Sequence, residues 1–254
     1  MINIAERHQT ILSKLNQEGF VKVLDLCREL DVSAVTIRKD LKLLEDKGLL
    51  FRSHGGAALH NPYTTDRPVN EKEKIRSSEK SRIGAAAAPL VTADDSIIIA
   101  SGTTVQAMAK YIQPQGRLTV ITASLNVANE LNHHPEIEVL QLGGILRKSS
   151  SSVAGPYAEK MLTDFFCSKL FLGADGIDLE FGITTTSAME AHLNQQMMAA
   201  CQKTVVLADA SKFGRRGFGK ICELQDIDQV ITDNAVSPHM IKSMEDAGIE
   251  VTIV

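Results

Sequence analysis

The run Asp31-Val32-Ser33-Ala34-Val35-Thr36-Ile37-Arg38-Lys39-Asp40-Leu41 decides how the first part of the chain folds. Ser33 is placed to cap a helix over residues 34–47, because its hydroxyl can take a backbone N–H of the first turn, and Gly48 stops that helix. At about 100° per residue, Ile37, Leu41 and Leu44 share one side, which is the core side. The opposite side carries Val35, Lys39 and Lys42, with Thr36 and Arg38 flanking. This composition suits a helix entering a major groove: the cations reach phosphates or guanine edges, Thr36 hydrogen-bonds a phosphate and Val35 touches a thymine methyl. Charged helix faces are usually only solvated, so these side chains gain meaning from their surroundings.

Upstream, residues 24–30 repeat the helical pattern, and the turn Asp31-Val32-Ser33 joins the two segments as in a helix-turn-helix. Farther upstream, Ile4, Ile11, Leu12 and Leu15 line one face of a first helix that Gly19 ends. Downstream, Leu49-Leu50-Phe51-Arg52-Ser53-His54-Gly55-Gly56-Ala57 reads as a strand and a glycine turn. With Gly19-Phe20-Val21 it makes a small β wing that brings Arg52 and His54 near the neighbouring DNA backbone or minor groove.

Residues 59–82 turn polar, with Asn61-Pro62 and Arg67-Pro68 followed by alternating charges. They read as a linker and the start of a connecting helix that runs into the alanine-rich residues 83–90, where Ala85 to Ala88 allow close packing. Beyond, β-branched runs at 96–100, 118–121, 137–142, 169–172, 204–208, 229–231 and 249–254 alternate with helical patterns at 105–112, 125–133, 158–166, 187–202 and 238–247. Such alternation predicts an α/β domain with a Rossmann-like, mostly parallel sheet covered by helices on both faces. The expected division is 1–58 winged helix-turn-helix, 59–82 linker and connecting helix, and 83–254 effector-binding and oligomerisation domain.

Open parallel sheets bind ligands beyond the carboxyl ends of their strands. Five polar loops stand there: Ser101-Gly102-Thr103-Thr104, Thr122-Ala123-Ser124, Gly143-Gly144, Gly173-Ala174-Asp175-Gly176-Ile177-Asp178 and Asp209-Ala210-Ser211-Lys212-Phe213-Gly214. The first precedes a helix, where backbone N–H groups and hydroxyls suit a phosphate. Lys212 adds a cation, and Asp175 and Asp178 can accept sugar hydroxyls or, alternatively, cap turns. Neither G-x-x-x-x-G-K-[ST] nor G-x-G-x-x-G occurs, which argues against a nucleoside triphosphatase or a dinucleotide enzyme.

The chain has 254 residues, 44% hydrophobic and 23% charged, which excludes wholesale disorder. Residues 1–82 carry +3 and the rest −7, yet residues 1–58 carry only +1, so DNA affinity must rest on placement and not on bulk charge. No run approaches the roughly 20 apolar residues of a membrane span, and the first residues lack a signal-peptide pattern, so a cytoplasmic location is expected. Cys27, Cys167, Cys201 and Cys222 are scattered without C-x-x-C, His133 and His134 end a helix, and His192 lies alone on another. Neither a disulfide framework, a metal site nor a cofactor is expected. Met189, Leu193, Met197 and Met198 read as core or subunit contact.

The segments Val32 to Leu41 and Arg52-Ser53-His54-Gly55-Gly56-Ala57 resemble the N-terminal pattern of the DeoR family of bacterial transcription regulators. Lys39 departs from it where many members carry arginine, losing the bidentate fork that reads guanine. Leu142-Gly143-Gly144, Gly173 to Asp178, Gly182-Ile183-Thr184 and Asp209 to Gly214 are similar to that family's effector domain, whose fold is similar to ribose-5-phosphate isomerase. The resemblance implies that Ser101, Gly102, Thr103, Thr104 and Lys212 hold a sugar phosphate and that Asp175 and Glu190 lie near the sugar. Thr122 and Ser124 keep two of the family's Thr-Asn-Ser positions, with Ala123 replacing the amide. Arg147 is a further candidate for the anion or a subunit contact. The run Phe171 to Glu180 with Glu190-Ala191-His192-Leu193-Asn194 is most similar to the amino-sugar, N-acetylgalactosamine-type branch.

The function so implied is a repressor of a sugar-catabolism operon, a dimer or tetramer on double-stranded operator DNA, released by a phosphorylated sugar. The alternative is a sugar-phosphate isomerase with an accessory DNA module, because Asp175, Glu190 and Lys212 can supply a base beside a polarised carbonyl. Against it, Asp178-Leu179-Glu180-Phe181-Gly182 lacks the lysine-plus-glycine loop of the isomerases. A sensor that kept the pocket and lost the chemistry is expected, not an enzyme.

Overall fold

Helix α1 (Ile4–Glu18) starts at Asn3, whose side chain accepts the Glu6 N–H while the Glu6 carboxylate takes the Asn3 N–H, and it ends at Gly19 in the left-handed region, φ 72°. The computed structural model describes residues 3–53, 55–58 and 68–254. After α1 come β1 (Phe20–Lys22), α2 (Val23–Leu30), α3 (Ala34–Asp46), β2 (Phe51–Ser53) and β3 (Gly56–Ala58). Ile11 and Leu15 meet Leu26, Ile37, Leu41, Leu44 and Leu50 in one closed core. Ile4, expected on the buried face, is 53% exposed, because it begins the helix two turns before that core. The wing is an antiparallel sheet ordered β1-β3-β2, so residues 56–58, read as turn, are its central strand. Gly56 is required there: a Cβ would stand 2.1 Å from the Val21 carbonyl oxygen. His54 lies outside the described residues, as do residues 59–67 of the expected linker.

The chain forms two compact units that part between Thr65 and Asp66. The expected linker and connecting helix are therefore divided, since α4 (Val69–Lys74) and α5 (Ser77–Ala87) both belong to the second unit. Ile75 and Arg76, the latter at φ 52°, break what was expected to be one helix. The close approach attributed to Ala85–Ala88 falls mainly on Gly84, where a Cβ would meet the Met108 backbone nitrogen at 2.6 Å.

The second unit continues through β4 (Ser96–Ile99), α6 (Thr103–Ala109), β5 (Leu118–Thr122), α7 (Leu125–Leu131), β6 (Ile137–Gln141), β7 (Ile145–Arg147), β8 (Ser152–Ala154), α8 (Pro156–Leu162) and β9 (Cys167–Gly173). It ends with β10 (Gly176–Asp178), β11 (Gly182–Thr185), α9 (Ala188–Ala199), β12 (Cys201–Leu207), β13 (Gly219–Cys222), β14 (Gln229–Thr232), α10 (Pro238–Asp246) and β15 (Glu250–Ile253). Seven strands form a parallel sheet in the order β15-β14-β12-β9-β4-β5-β6. Alternation splits β4 between two cores: Ile97 and Ile99 pack with Ile83, Val105 and Val127 of α5, α6 and α7, while Ile98 packs with Ala158, Met197 and Met244 of α8, α9 and α10. The hairpin β7–β8 and the antiparallel sheet β10-β11-β13 were not foreseen; their strands are three or four residues long. Cys167 and Cys201, distant in sequence, stand opposite one another on β9 and β12. Among the described residues no helix is long and apolar enough to cross a membrane.

Connections from β4 run outward to β5 and β6 on one side, and β9, β12, β14 and β15 lie on the other. The order reverses between β4 and β9, so the loops leaving these two strands diverge and open a crevice between them.

Candidate functional site

In the first unit, α3 presents the face expected of it. Ile37, Leu41 and Leu44 are buried, Val35 is 60% exposed, and Arg38, Lys39 and Lys42 are exposed. Ser33 caps the helix, its Oγ accepting the Thr36 N–H at 3.2 Å, and the two hydroxyls lie 2.9 Å apart. Arg52 is tied back to α3: its N–H donates to Glu45 Oε1 at 2.8 Å and its guanidinium lies 3.6 Å from Glu45 Oε2. Asp40, on the buried side, is a residue that the sequence reading passed over.

In the second unit a cavity opens at the reversal point, where sheets of this kind bind ligands. Three of the five polar loops reach it: Ser101, Gly102, Thr103 and Thr104 after β4, Gly173, Ala174 and Asp175 after β9, and Lys212 after β12. Gly102 turns the chain into α6 at φ 134°, a conformation that L side chains rarely adopt. Thr185 of β11 and Glu190 of α9 complete that side. Val69, Lys72, Ser149 and Ser150 also line the cavity and were not anticipated. Lys72 sits in the charged stretch read as the start of the connecting helix, and the serines in a run too short to carry meaning by composition.

Asp175 is the electrostatic centre. Its Oδ1 accepts Lys72 Nζ at 3.0 Å and lies 3.7 Å from Lys212 Nζ, while Oδ2 accepts the Thr185 hydroxyl at 3.3 Å. Burial works to raise this carboxyl, but the two lysines outweigh it and hold it below the usual carboxylate range. Glu190 accepts the Ser101 hydroxyl at 2.7 Å and the Thr185 hydroxyl at 3.2 Å, and it is ion-paired with Arg147. Lys80 is buried behind α4, where burial pushes its amine down against the pull of Asp209. The cavity thus sets ammonium groups and hydroxyls beside two carboxylates, a set able to hold an anion and to accept hydroxyl donors.

Six expected ligand residues do not line this cavity, and of these Arg147 is ion-paired with the lining residue Glu190. Thr122 is fully buried, donating to the Ile99 carbonyl at 2.7 Å and accepting the Ser124 N–H at 3.0 Å, so it ties β5 to β4. Ser124 caps α7 through the Val127 N–H at 3.3 Å. Gly143 and Gly144 turn β6 into the β7 hairpin; a Cβ on Gly144 would stand 2.8 Å from the Ala154 carbonyl. Asp178 takes the N–H groups of Glu180 and Phe181 at 3.0 and 2.8 Å and Arg216 at 2.9 Å, the turn-capping alternative. Burial raises its carboxyl, and Arg216 with those N–H groups lowers it further, below the ordinary range.

Comparison with known proteins agrees over both units. A family model described as DeoR-like helix-turn-helix domain matches residues 7–62, and one described as DeoR C terminal sensor domain matches residues 75–234. The chain is 38% identical to the uncharacterized HTH-type transcriptional regulator YulB of Bacillus subtilis (strain 168), covering 99% of this chain and 97% of that one. It is 36% identical to a putative aga operon transcriptional repressor of Escherichia coli O157:H7, covering 98% and 94%. To the HTH-type transcriptional repressor GlcR of B. subtilis (strain 168) identity is 33%, covering 98% and 95%. Among solved structures, ribose 5-phosphate isomerase A of Methanocaldococcus jannaschii aligns over 54% of each chain with TM-score 0.40 and 15% identity. The sorbitol operon regulator SorC of Klebsiella pneumoniae aligns over 82% of this chain and 90% of that one, with TM-score 0.36 and 11% identity.

Proposed function

The chain belongs to the DeoR family of transcription regulators, and from that membership we propose that it represses a sugar-catabolism operon and leaves its operator when a phosphorylated sugar enters the second unit. The observation that carries this reading is the pairing of Lys72 and Lys212 on Asp175 opposite Ser101 and Glu190. A phosphoryl group suits the lysines and the Ser101–Thr104 loop, and sugar hydroxyls suit the Asp175 and Glu190 carboxylates. The resemblance of Phe171 to Glu180 and Glu190 to Asn194 to the amino-sugar branch puts amino-sugar phosphates among the candidates.

On DNA, α3 enters the major groove with Val35, Arg38, Lys39 and Lys42, and Ser33, Thr36, Arg52 and His54 serve the backbone. One such module covers few base pairs, so the working species is at least a dimer reading half-sites about 34 Å apart. It works in the cytoplasm, where its operator lies. No turnover is part of this reading: the Glu190 carboxylate is engaged by Arg147, Ser101 and Thr185 and is poorly placed to act as a mobile base.

The test is binding of the purified chain to duplex DNA from upstream of its own gene and its neighbours, with free sugars, pentose and hexose phosphates and N-acetylgalactosamine 6-phosphate added in turn. Release by one phosphorylated sugar, recovered unchanged, is the expected result. Operator affinity that no sugar phosphate alters refutes it, and conversion of the sugar that Glu190→Gln abolishes favours an isomerase.

A further inference from the structure

Helix α4 forms one wall of the cavity and is fastened at both ends. At its start the Val69 N–H donates to the Ser149 carbonyl at 2.6 Å. At its end the buried Lys80 ammonium donates to the carbonyls of Lys72 and Ile75 at 2.5 and 2.7 Å. Between these fastenings the Lys72 side chain reaches Asp175, where it shares Oδ1 with Lys212. One carboxylate oxygen therefore serves two ammonium groups, while Glu190 is ion-paired with Arg147.

The two lysines differ in what they belong to. Lys212 ends a single helical turn after β12, fixed by Asp209, which accepts the Ser211 N–H, and by Asp233, which accepts the Ala210 N–H. Lys72 belongs to the first helix after residue 65, where the DNA-binding unit ends. A phosphoryl group has more oxygens than Asp175 and carries up to two charges, so it competes for the nearer, shared lysine. Once bound it bridges Lys212 to Lys72, replacing a single shared oxygen by separate contacts.

Resting on the reading above, we propose that Lys72 is the residue through which the cavity reports an anion to the chain leading to the helix-turn-helix. The anion draws Lys72 from Asp175 and pins α4 to the Lys212 loop, and the segment that joins the two units then starts from a tightened helix. Sequence alone assigns this lysine to the charged start of a connecting helix, with nothing to link it to the cavity.

The experiment uses the full chain and inorganic phosphate as probe, titrated at constant ionic strength by calorimetry, with amide exchange read over residues 69–75. Wild type is expected to bind phosphate with slowed exchange in that segment. Lys72→Met and Lys212→Met should each weaken binding by roughly tenfold. Lys72→Arg, which keeps the charge, should restore both the binding and the slowed exchange. If Lys72→Met binds as tightly as wild type while Lys212→Met does not, the cavity remains an anion site and this proposal fails. If wild type binds but exchange over 69–75 is unchanged, the coupling fails. If wild type takes no phosphate, the effector reading fails with it. Should Lys72→Met not fold, the Lys72→Arg and wild-type exchange data still decide.

Discussion

Arg7 of α1 holds Asp40 of α3 through two hydrogen bonds, with Nη2 to Oδ1 at 3.0 Å and Nε to Oδ2, and His8 Nε2 lies 3.1 Å from the same Oδ1. Asp40 is 2% exposed and follows Arg38 and Lys39 directly, so this buried pairing sets the rotation of the helix that presents them. Asp40→Asn leaves the guanidinium without its counter-charge and should cost roughly 1.5–3 kcal/mol. In the full chain this reads as lost amide-exchange protection in α1 and α3, with weaker DNA binding; protection unchanged in both helices contradicts it.

The same logic gives a pH dependence. Asp95, buried below β4, is raised by burial but lowered more by Lys169 at 2.7 Å, by the Ser168 hydroxyl and by the Thr92 N–H, and Asp40 and Asp175 are also lowered from 3.8. A carboxyl whose folded value lies below its unfolded one contributes stability in full above 3.8, and loses it as pH falls through the folded value. The thermal midpoint should therefore hold from neutral pH to about 5 and fall steeply below 4. Asp95→Asn should lower the plateau and flatten that acid limb; a midpoint rising on acidification contradicts the assignment.

Asp40 shows where sequence reading stops. Ser33, Ile37 and Leu41 declare α3 through a local cap and a 3.6-residue period, and Ile97 to Ile99 declare β4 as a short β-branched run, since both signals lie within a few residues. Asp40 looks like one more polar residue on a charged helix until α1 folds over it. Lys72 and Ser149 reach the cavity only because α4 packs back onto loops far along the chain. Thr122 and Ser124 err in the other direction: they stand at a strand's carboxyl end, as a ligand residue should, but the reversal point lies between β4 and β9, on the other side of β4 from β5.

The exposed face of α3 divides into two kinds of contact. Arg38→Ala should cost roughly 1–3 kcal/mol and relax preference at one base pair, as loss of a guanine contact does. Lys42→Ala should instead weaken specific and random duplexes alike and reduce the salt slope by about 1. Footprinting and salt titration on both duplexes check this pair, and equal effects of the two substitutions would remove the base-reading role from Arg38.

Asp175 separates the anion from the sugar. Asp175→Asn frees Lys72 and Lys212 from the carboxylate that occupies them, so inorganic phosphate should bind more tightly to the variant than to wild type. A sugar phosphate gains the same advantage but loses a charged acceptor for its hydroxyls, a bond of roughly 1.5–3 kcal/mol. The ratio of sugar-phosphate to phosphate affinity should then shrink by about tenfold or more, measured by calorimetry with the sugar phosphate that releases the DNA. If both ligands weaken equally, Asp175 serves only to hold the lysines in place, because a carboxylate that competed with the anion cannot make phosphate binding worse by leaving.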